Sequence, residues 1–283
     1  MRPLPSFIVI GPMKGGTTSV FNWLASHPGV NEPDMKEPDF FSTNWQRGED
    51  WYRALFPDGR KHLITGEASP SYSDPQYATA AAERMRSTLP EVRLVFIART
   101  LEDRIRSHYL HEVRRGRERR TFADAVGDPA GPYQRLSRYG DGLAPYLDAF
   151  GPEQVLIASF DELVHTGDAW PSLLRHLELD EYPWPATRLN AASDGLHLSR
   201  TGAALWNRGV LQRASVVPKP VRRALRRVVF RDPEAELVRS ANDAVPPPVR
   251  SALDAAADAF ARVAPNGPGL FAEVGRTTSN ADE

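Results

Sequence analysis

Two rhythms of apolar and polar positions alternate along the first two thirds of the chain. Phe7–Ile10, Val92–Ala98 (VRLVFIA) and Val155–Phe160 (VLIASF) are short and almost continuously apolar, as strands buried on both faces of a sheet should be. His62–Ile64, leading into the turn-rich TGEASPSY, adds a shorter strand. Between these runs, apolar positions recur three and four residues apart. Val20, Phe21 and Leu24 follow the first run, and Ala78, Ala81, Ala82 and Met85 line a stretch opened by Pro75 and reaching Arg86. Leu101, Ile105, Tyr109 and Val113 follow the second run, and Gly140–Phe150 precedes the third. FDELVHTGDAWPSLLRHLEL then reads as helix, break, helix. The alternation predicts an α/β fold with a central, mainly parallel sheet flanked by helices.

Breaker residues set the boundaries. His27-Pro28-Gly29 ends the first helix and makes His27 a helix-end residue. Pro183-Trp184-Pro185 ends the strand and helix alternation, so residues 1–182 are expected to form the α/β core. Residues 183–275 would be a loop and a helical C-terminal extension packed on that core, and 276–283 a flexible tail. Within the extension, NAASDGLHLSRTG is a polar loop, and Ala203–Arg231 mixes apolar residues with Lys219, Arg222, Arg223, Arg226 and Arg227. That face fits a solvated cap first, and contact with an anionic acceptor or membrane surface second. Pro246-Pro247-Pro248 introduces a last helix, Val249–Val263. The basic run RRGRERR, residues 114–120, reads as a solvated helix end.

The chemistry enters with the turn after the first strand. In GPMKGGTTS, Gly15 and Gly16 permit a tight turn, and Thr17-Thr18-Ser19 opens the next helix, whose free N–H groups and positive dipole end favour a phosphate. Gly11 and Gly16 have the spacing of a Walker loop, but Thr17 stands where its lysine belongs and the lysine is Lys14. The loop therefore cradles a nucleotide but departs from that of an ATPase or kinase. Arg99 ends the Val92–Ala98 strand and Ser107 lies about two turns into the following helix, a second anion site beside the first. In Lys36-Glu37-Pro38-Asp39, just ahead of Phe40-Phe41, a carboxylate beside buried aromatics acquires the desolvation that raises a general base, and Glu37 is the candidate.

Composition narrows the setting. The chain has 283 residues, 41% hydrophobic and 25% charged, enough for one large core. It contains no cysteine, which excludes disulfides, thiolate catalysis and cysteine zinc sites, and suits a reducing cytoplasm. With 35 basic against 36 acidic side chains, overall charge gives no pointer to nucleic acid. No apolar run is long enough for a membrane span, and the N-terminus lacks the pattern of a signal peptide, so the expectation is a soluble, cytoplasmic protein.

These motifs resemble those of a known family. PMKGGTTSVFNWLASHPGV is similar to the 5′-phosphosulfate loop of sulfotransferases that use 3′-phosphoadenosine 5′-phosphosulfate (PAPS). LVFIARTLEDRIRSHYLH is similar to their 3′-phosphate motif, an arginine followed eight residues later by a serine. KEPDFFSTNWQRGEDWYRALFP, GEASPSYSDP and RYGDGLAPYLDAFGPEQVLIASFDELV extend the likeness over roughly Phe7–Tyr182, toward the branch of the heparan sulfate and many bacterial sulfotransferases.

The resemblance implies a P-loop-like three-layer fold and transfer of a sulfuryl group to a hydroxyl, or secondarily an amine, of a sugar or small natural product. Adenosine 3′,5′-bisphosphate would be the product, and no metal would be required. Lys14 would touch the phosphosulfate, with Gly15, Gly16, Thr17 and Thr18 cradling it; Arg99 and Ser107 would hold the 3′-phosphate; Glu37 would take the acceptor proton. Two departures stand out. Several relatives carry a lysine after the glutamate of GEASP, where this chain has Ala68, and Arg200 is the nearest counterpart of their cofactor-closing loop. His111 matches a histidine of some relatives or is a helix-face residue. The alternatives are an atypical ATP-dependent phosphotransferase and a non-catalytic nucleotide-binding protein.

Overall fold

A computed structural model describes residues 3–57, 63–185, 235–265 and 267. The loop carrying Arg200 and the basic stretch Lys219–Arg231 lie outside them. The described chain runs β1 (Phe7–Val9), α1 (Thr17–Ala25), β2 (Val30–Asn31), α2 (Glu49–Ala54), β3 (Ile64–Glu67), α3 (Ala78–Thr88), β4 (Arg93–Ala98) and α4 (Leu101–Arg114). It continues with α5 (Phe122–Val126), α6 (Pro132–Arg135), α7 (Tyr139–Phe150), β5 (Val155–Ser159), α8 (Trp170–His176), α9 (Ala235–Ser240) and α10 (Pro247–Val263).

The five strands form one sheet in the order β2-β3-β1-β4-β5, and every described pairing is parallel. β1 is central, with Phe7 opposite Gly66 of β3 on one side and Arg93 of β4 on the other. The chain therefore reaches its outer strand first, returns through β3 and crosses β1 to reach β4. Such a reversal opens a crevice at the carboxyl ends of the central strands.

Period-two burial fills both faces. Phe7, Val9, Val95 and Ile97 point into one cluster with Phe21, Trp23 and Leu24 of α1 and Trp170 and Leu173 of α8. Trp23 meets Trp170 edge to face at 6.4 Å. Phe96 packs on the opposite face against Tyr139 of α7, at 5.5 Å, and Phe260 of α10, at 6.0 Å. His27 is buried at the end of α1, where its ring accepts the Gly29 N–H and bonds the Asp180 carbonyl. It is a helix-end residue, as the breakers predict.

Local departures from expectation have local causes. Residues 70–73 form a 3-10 turn, and α3 starts at Ala78 rather than Pro75, because Asp74 holds the intervening turn through its carbonyl and side chain. The segment after β5 is a π-helical turn, Glu162–Thr166, closed by left-handed Gly167. In 114–120, only part of the basic run is a solvated helix end. Glu118 turns inward, accepts two nitrogens of Arg120 and the Tyr133 hydroxyl, and is 8% exposed. Burial pushes its carboxyl up, but those bonds and the Arg120 charge outweigh it and hold Glu118 below its ordinary value.

The chain divides into two compact units. One comprises residues 1–104, 135–189 and 252–283, and contains the sheet. The other comprises 105–134 and 190–251. Its described part is tied by Tyr109, whose hydroxyl meets Ser240 Oγ at 3.0 Å, and by the Phe122 N–H, which donates to the same oxygen. Among the described residues, no helix is long and apolar enough to cross a membrane.

Candidate active site

β1 delivers the glycine loop to the crevice. Ile10 N still bonds the Val95 carbonyl, then Gly15 N bonds Pro12 O at 2.8 Å and closes a tight turn. Lys14 and Gly16 both take positive φ, 67° and 99°, so the loop curls around its apex before α1 begins at Thr17. A Cβ at Gly16 would stand 2.3 Å from the Phe160 ring, and one at Gly15 would stand 2.9 Å from the Ile97 carbonyl, so backbone and ring occupy that space. Gly16 caps α1 without a side-chain acceptor, and the first turn carries no acid. The positive end of the helix dipole is therefore not offset by an acid of its own first turn, which suits an external anion.

β4, the neighbour of β1, ends at Ala98 and places Arg99 at the same edge of the sheet. The Arg99 guanidinium lies 4.7 Å above the Phe160 ring, and Tyr139 donates to its backbone carbonyl. Arg99 Nε is buried with no hydrogen-bond partner among the described residues. Such a donor is costly to leave unmet, and an anion such as phosphate has the acceptors to satisfy it. Arg104, fully buried one turn into α4, donates to Ser137 Oγ at 2.7 and 3.2 Å. Burial, and then the nearby Arg99 charge, pull its guanidinium down to about 10. Two arginine charges close enough to act on each other make the end of β4 electropositive. Ser107 is half-buried in α4 and belongs to the unit that begins at Ile105.

β3, on the other side of β1, supports the carboxylate region. Ala68 N bonds the Lys36 carbonyl at 2.9 Å, Asp39 N bonds Ser69 Oγ at 3.0 Å, and Ser71 Oγ bonds Asp39 Oδ1 at 2.5 Å. The segment bearing Glu37 is thereby stitched to the turn after β3. Asp39 sits at φ 49° and its carboxyl is raised by burial, against the Ser71 bond, with the Glu37 charge adding. Glu37 itself is exposed, its side chain at 46%, and is ion-paired with Lys36. Lys36 Nζ also donates to Thr18 Oγ1 at 2.8 Å, in the first turn of α1.

The desolvated carboxylate beside the aromatics is Glu67, not Glu37. Glu67 is wholly buried at the end of β3 and accepts the Tyr52 and Tyr72 hydroxyls at 2.7 Å each and Ser69 Oγ at 2.5 Å. Burial pushes it up to about 7, against those three bonds, and the Asp39 charge contributes. Phe40 stacks on Tyr52 at 4.3 Å and Phe41 packs edge-on to Tyr72, so Phe40-Phe41 wall off Glu67 while Glu37 faces outward. Sequence reasoning passed over Glu67. Its signal was a glutamate closing an apolar strand ahead of a Ser-Pro turn, with Tyr72 five residues on. His111 lies half-buried on α4 beside Glu112, at 3.8 Å.

A parallel sheet in this order, with a glycine cradle after its central strand and an arginine after the adjacent one, defines an α/β nucleotide-binding protein of P-loop-like architecture. No family model matches the chain. It is 30% identical to a mouse (Mus musculus) heparan sulfate glucosamine 3-O-sulfotransferase 3B1 over 171 residues, 58% of this chain and 43% of that protein. It is 26% identical to a Caenorhabditis elegans bifunctional heparan sulfate N-deacetylase/N-sulfotransferase 1 over 221 residues, 69% of this chain and 24% of that protein. A sulfotransferase crystal structure from Alicyclobacillus acidocaldarius matches with a TM-score of 0.59 and 27% identity, covering 66% of this chain and 86% of that one. In sequence and in fold the chain is thus similar to sulfotransferases, among them enzymes of the heparan sulfate branch and a bacterial one. It spans less than half the length of these curated relatives.

Proposed function

We propose that this chain transfers a sulfuryl group from PAPS to a hydroxyl, or secondarily an amine, of a sugar or small natural product. The observation that carries the reading is the pairing, at adjacent strand ends, of a glycine cradle without a side-chain cap and a buried Arg99 Nε that has no partner among the described residues. Both features fit a donor with phosphates at its two ends. PAPS supplies an activated sulfuryl group joined to phosphate through a bridging oxygen.

The residues then have distinct tasks. Gly15, Gly16, Thr17 and Thr18 hold the 5′ anionic end with backbone N–H groups and hydroxyls, and Lys14 offsets charge on the oxygen that leaves. Arg99 binds the 3′-phosphate, with Ser107 assigned to the same group. Glu37 accepts the acceptor proton as the new S–O bond forms opposite the breaking one. Its exposure supports this role, since a base must reach an incoming hydroxyl, whereas Glu67 is walled in. Arg200 remains our assignment for closing the donor site. The relatives' names pair 3-O- and N-sulfotransferases, which supports a carbohydrate acceptor first. With no cysteine in the sequence, we assign the chain to the cytoplasm and to natural-product or carbohydrate modification.

Calorimetry with adenosine 3′,5′-bisphosphate, AMP and ATP, with and without Mg²⁺, tests the reading. The bisphosphate should bind best without metal, and Arg99→Ala should weaken it about 10- to 100-fold, the worth of charged hydrogen bonds. Tighter, Mg²⁺-dependent ATP binding would establish the phosphotransferase alternative instead. With PAPS and an accepted acceptor, Lys14→Ala should abolish transfer. Glu37→Gln should lose roughly 10²- to 10⁴-fold in kcat while keeping bisphosphate binding. Undiminished turnover in either variant would remove that residue from the chemistry.

A further inference from the structure

Lys36 joins the donor cradle to the proposed base. Its ammonium donates to Thr18 Oγ1 at 2.8 Å, within the first turn of α1, and pairs with Glu37 Oε1. Its backbone is anchored, since the Lys36 carbonyl accepts from Ala68 N. Its side chain is mostly covered, at 23% exposed, against 46% for Glu37. Position 68 holds an alanine, fully buried, so no cation comes from that neighbouring backbone position.

This arrangement has a chemical consequence. A proton taken up by a carboxylate that pairs with an ammonium costs that ion pair, so the contact on Glu37 Oε1 opposes proton transfer from an acceptor hydroxyl. The ammonium, however, has three donors on a flexible stem. It already bonds a hydroxyl of the cradle, so an anion bound there lies within its reach and competes with the Glu37 carboxylate. A phosphosulfate, with one negative charge on its phosphate and one on its sulfate, outcompetes a single exposed carboxylate for one ammonium, since attraction scales with the charge product.

We propose that Lys36 is a catalytic residue that changes partners. Without donor it masks Glu37. With donor bound it moves its bond to the phosphosulfate, which frees Glu37 Oε1 as proton acceptor and sets positive charge beside the oxygen that leaves. Donor binding thus arms the base. Sulfuryl transfer then proceeds with the acceptor O–S bond forming, the bridging S–O bond breaking with its electron pair going to the phosphate, and the acceptor proton passing to Glu37. The inference rests on the donor site proposed above.

The test is a double-mutant cycle read by bisphosphate calorimetry, with Lys36→Met, Glu37→Gln and the pair. Lys36→Met should weaken the bisphosphate about tenfold, the loss of one charge-assisted bond. Glu37→Gln should tighten it about threefold, because Lys36 no longer has to leave a carboxylate. That gain should vanish in the pair. In turnover, Lys36→Met should lower kcat and leave the acceptor KM unchanged. Lys36→Gln provides the same comparison should the methionine variant not fold. Wild type that fails to bind the bisphosphate would overturn the donor site itself. Wild type that binds, with Lys36→Met equally tight and no gain in Glu37→Gln, would overturn the Lys36 assignment alone.

Discussion

Glu67 is a wholly buried carboxylate at the end of a central strand. A carboxyl with no exposed surface holds three hydroxyl groups in place, and two of them also brace the loop that carries Glu37. Ser69 Oγ accepts the Asp39 N–H, and the Tyr72 oxygen accepts the Phe41 N–H at 3.4 Å. Raising this carboxyl from 4.5 to about 7 means the folded protein holds the proton more tightly than the unfolded chain. Its stabilising share is therefore complete below about pH 4.5 and is lost as pH rises toward 7, about 3 kcal/mol across that window. Glu67→Gln keeps an acceptor for both tyrosines and removes the titration. Denaturant midpoints of both proteins from pH 4.5 to 8 should diverge in favour of the glutamine variant as pH rises. Parallel curves would mean Glu67 titrates normally. The sequence pattern pointed to a carboxylate desolvated by Phe40-Phe41 at Glu37, and the carboxylate buried behind that pair is Glu67. The side of the aromatic pair that faces inward depends on where β3 lies, and residue order does not state that.

At the scale of elements, the turn from β1 into α1 was the most legible part. Its signals are local: four apolar residues, two glycines and a hydroxyl run make a strand, a turn and a helix start whatever surrounds them. What the turn meets is not local. Gly16 needs its left-handed backbone, and it also abuts Phe160, which follows β5 more than a hundred residues later. Gly16→Ala should cost roughly 2–4 kcal/mol through strained φ and overpacking together, read as a lowered Tm. Bisphosphate affinity should fall at least about tenfold as the cradle amides shift. Unchanged values would mean the loop relaxes freely and its curl is not required. Helix starts were less legible at 70–78, because a 3-10 turn held by Asp74 uses the same small and polar residues that begin an α-helix.

For the whole molecule, strand positions could be read while strand order could not. The apolar runs at Phe7, Val92 and Val155 identify buried parallel strands because both faces of such strands need cover. Nothing in their composition says that β1 lies between β3 and β4, yet that placement brings the cradle, Arg99 and the Glu37 segment to one edge. The sequence by itself determined the α/β class, the glycine turn between the first strand and helix, the position of Arg99 at a strand end, and the motif likeness to sulfotransferases. All of these rest on short-range periodicity, backbone preferences or residues a few positions apart. Only the tertiary structure decided that Glu67 rather than Glu37 is buried, that Arg99 Nε meets no hydrogen-bond partner among the described residues, and that Lys36 bonds both Thr18 and Glu37. Burial, hydrogen-bond satisfaction and ion pairing are settled by which distant segments meet, and sheet order sets those meetings.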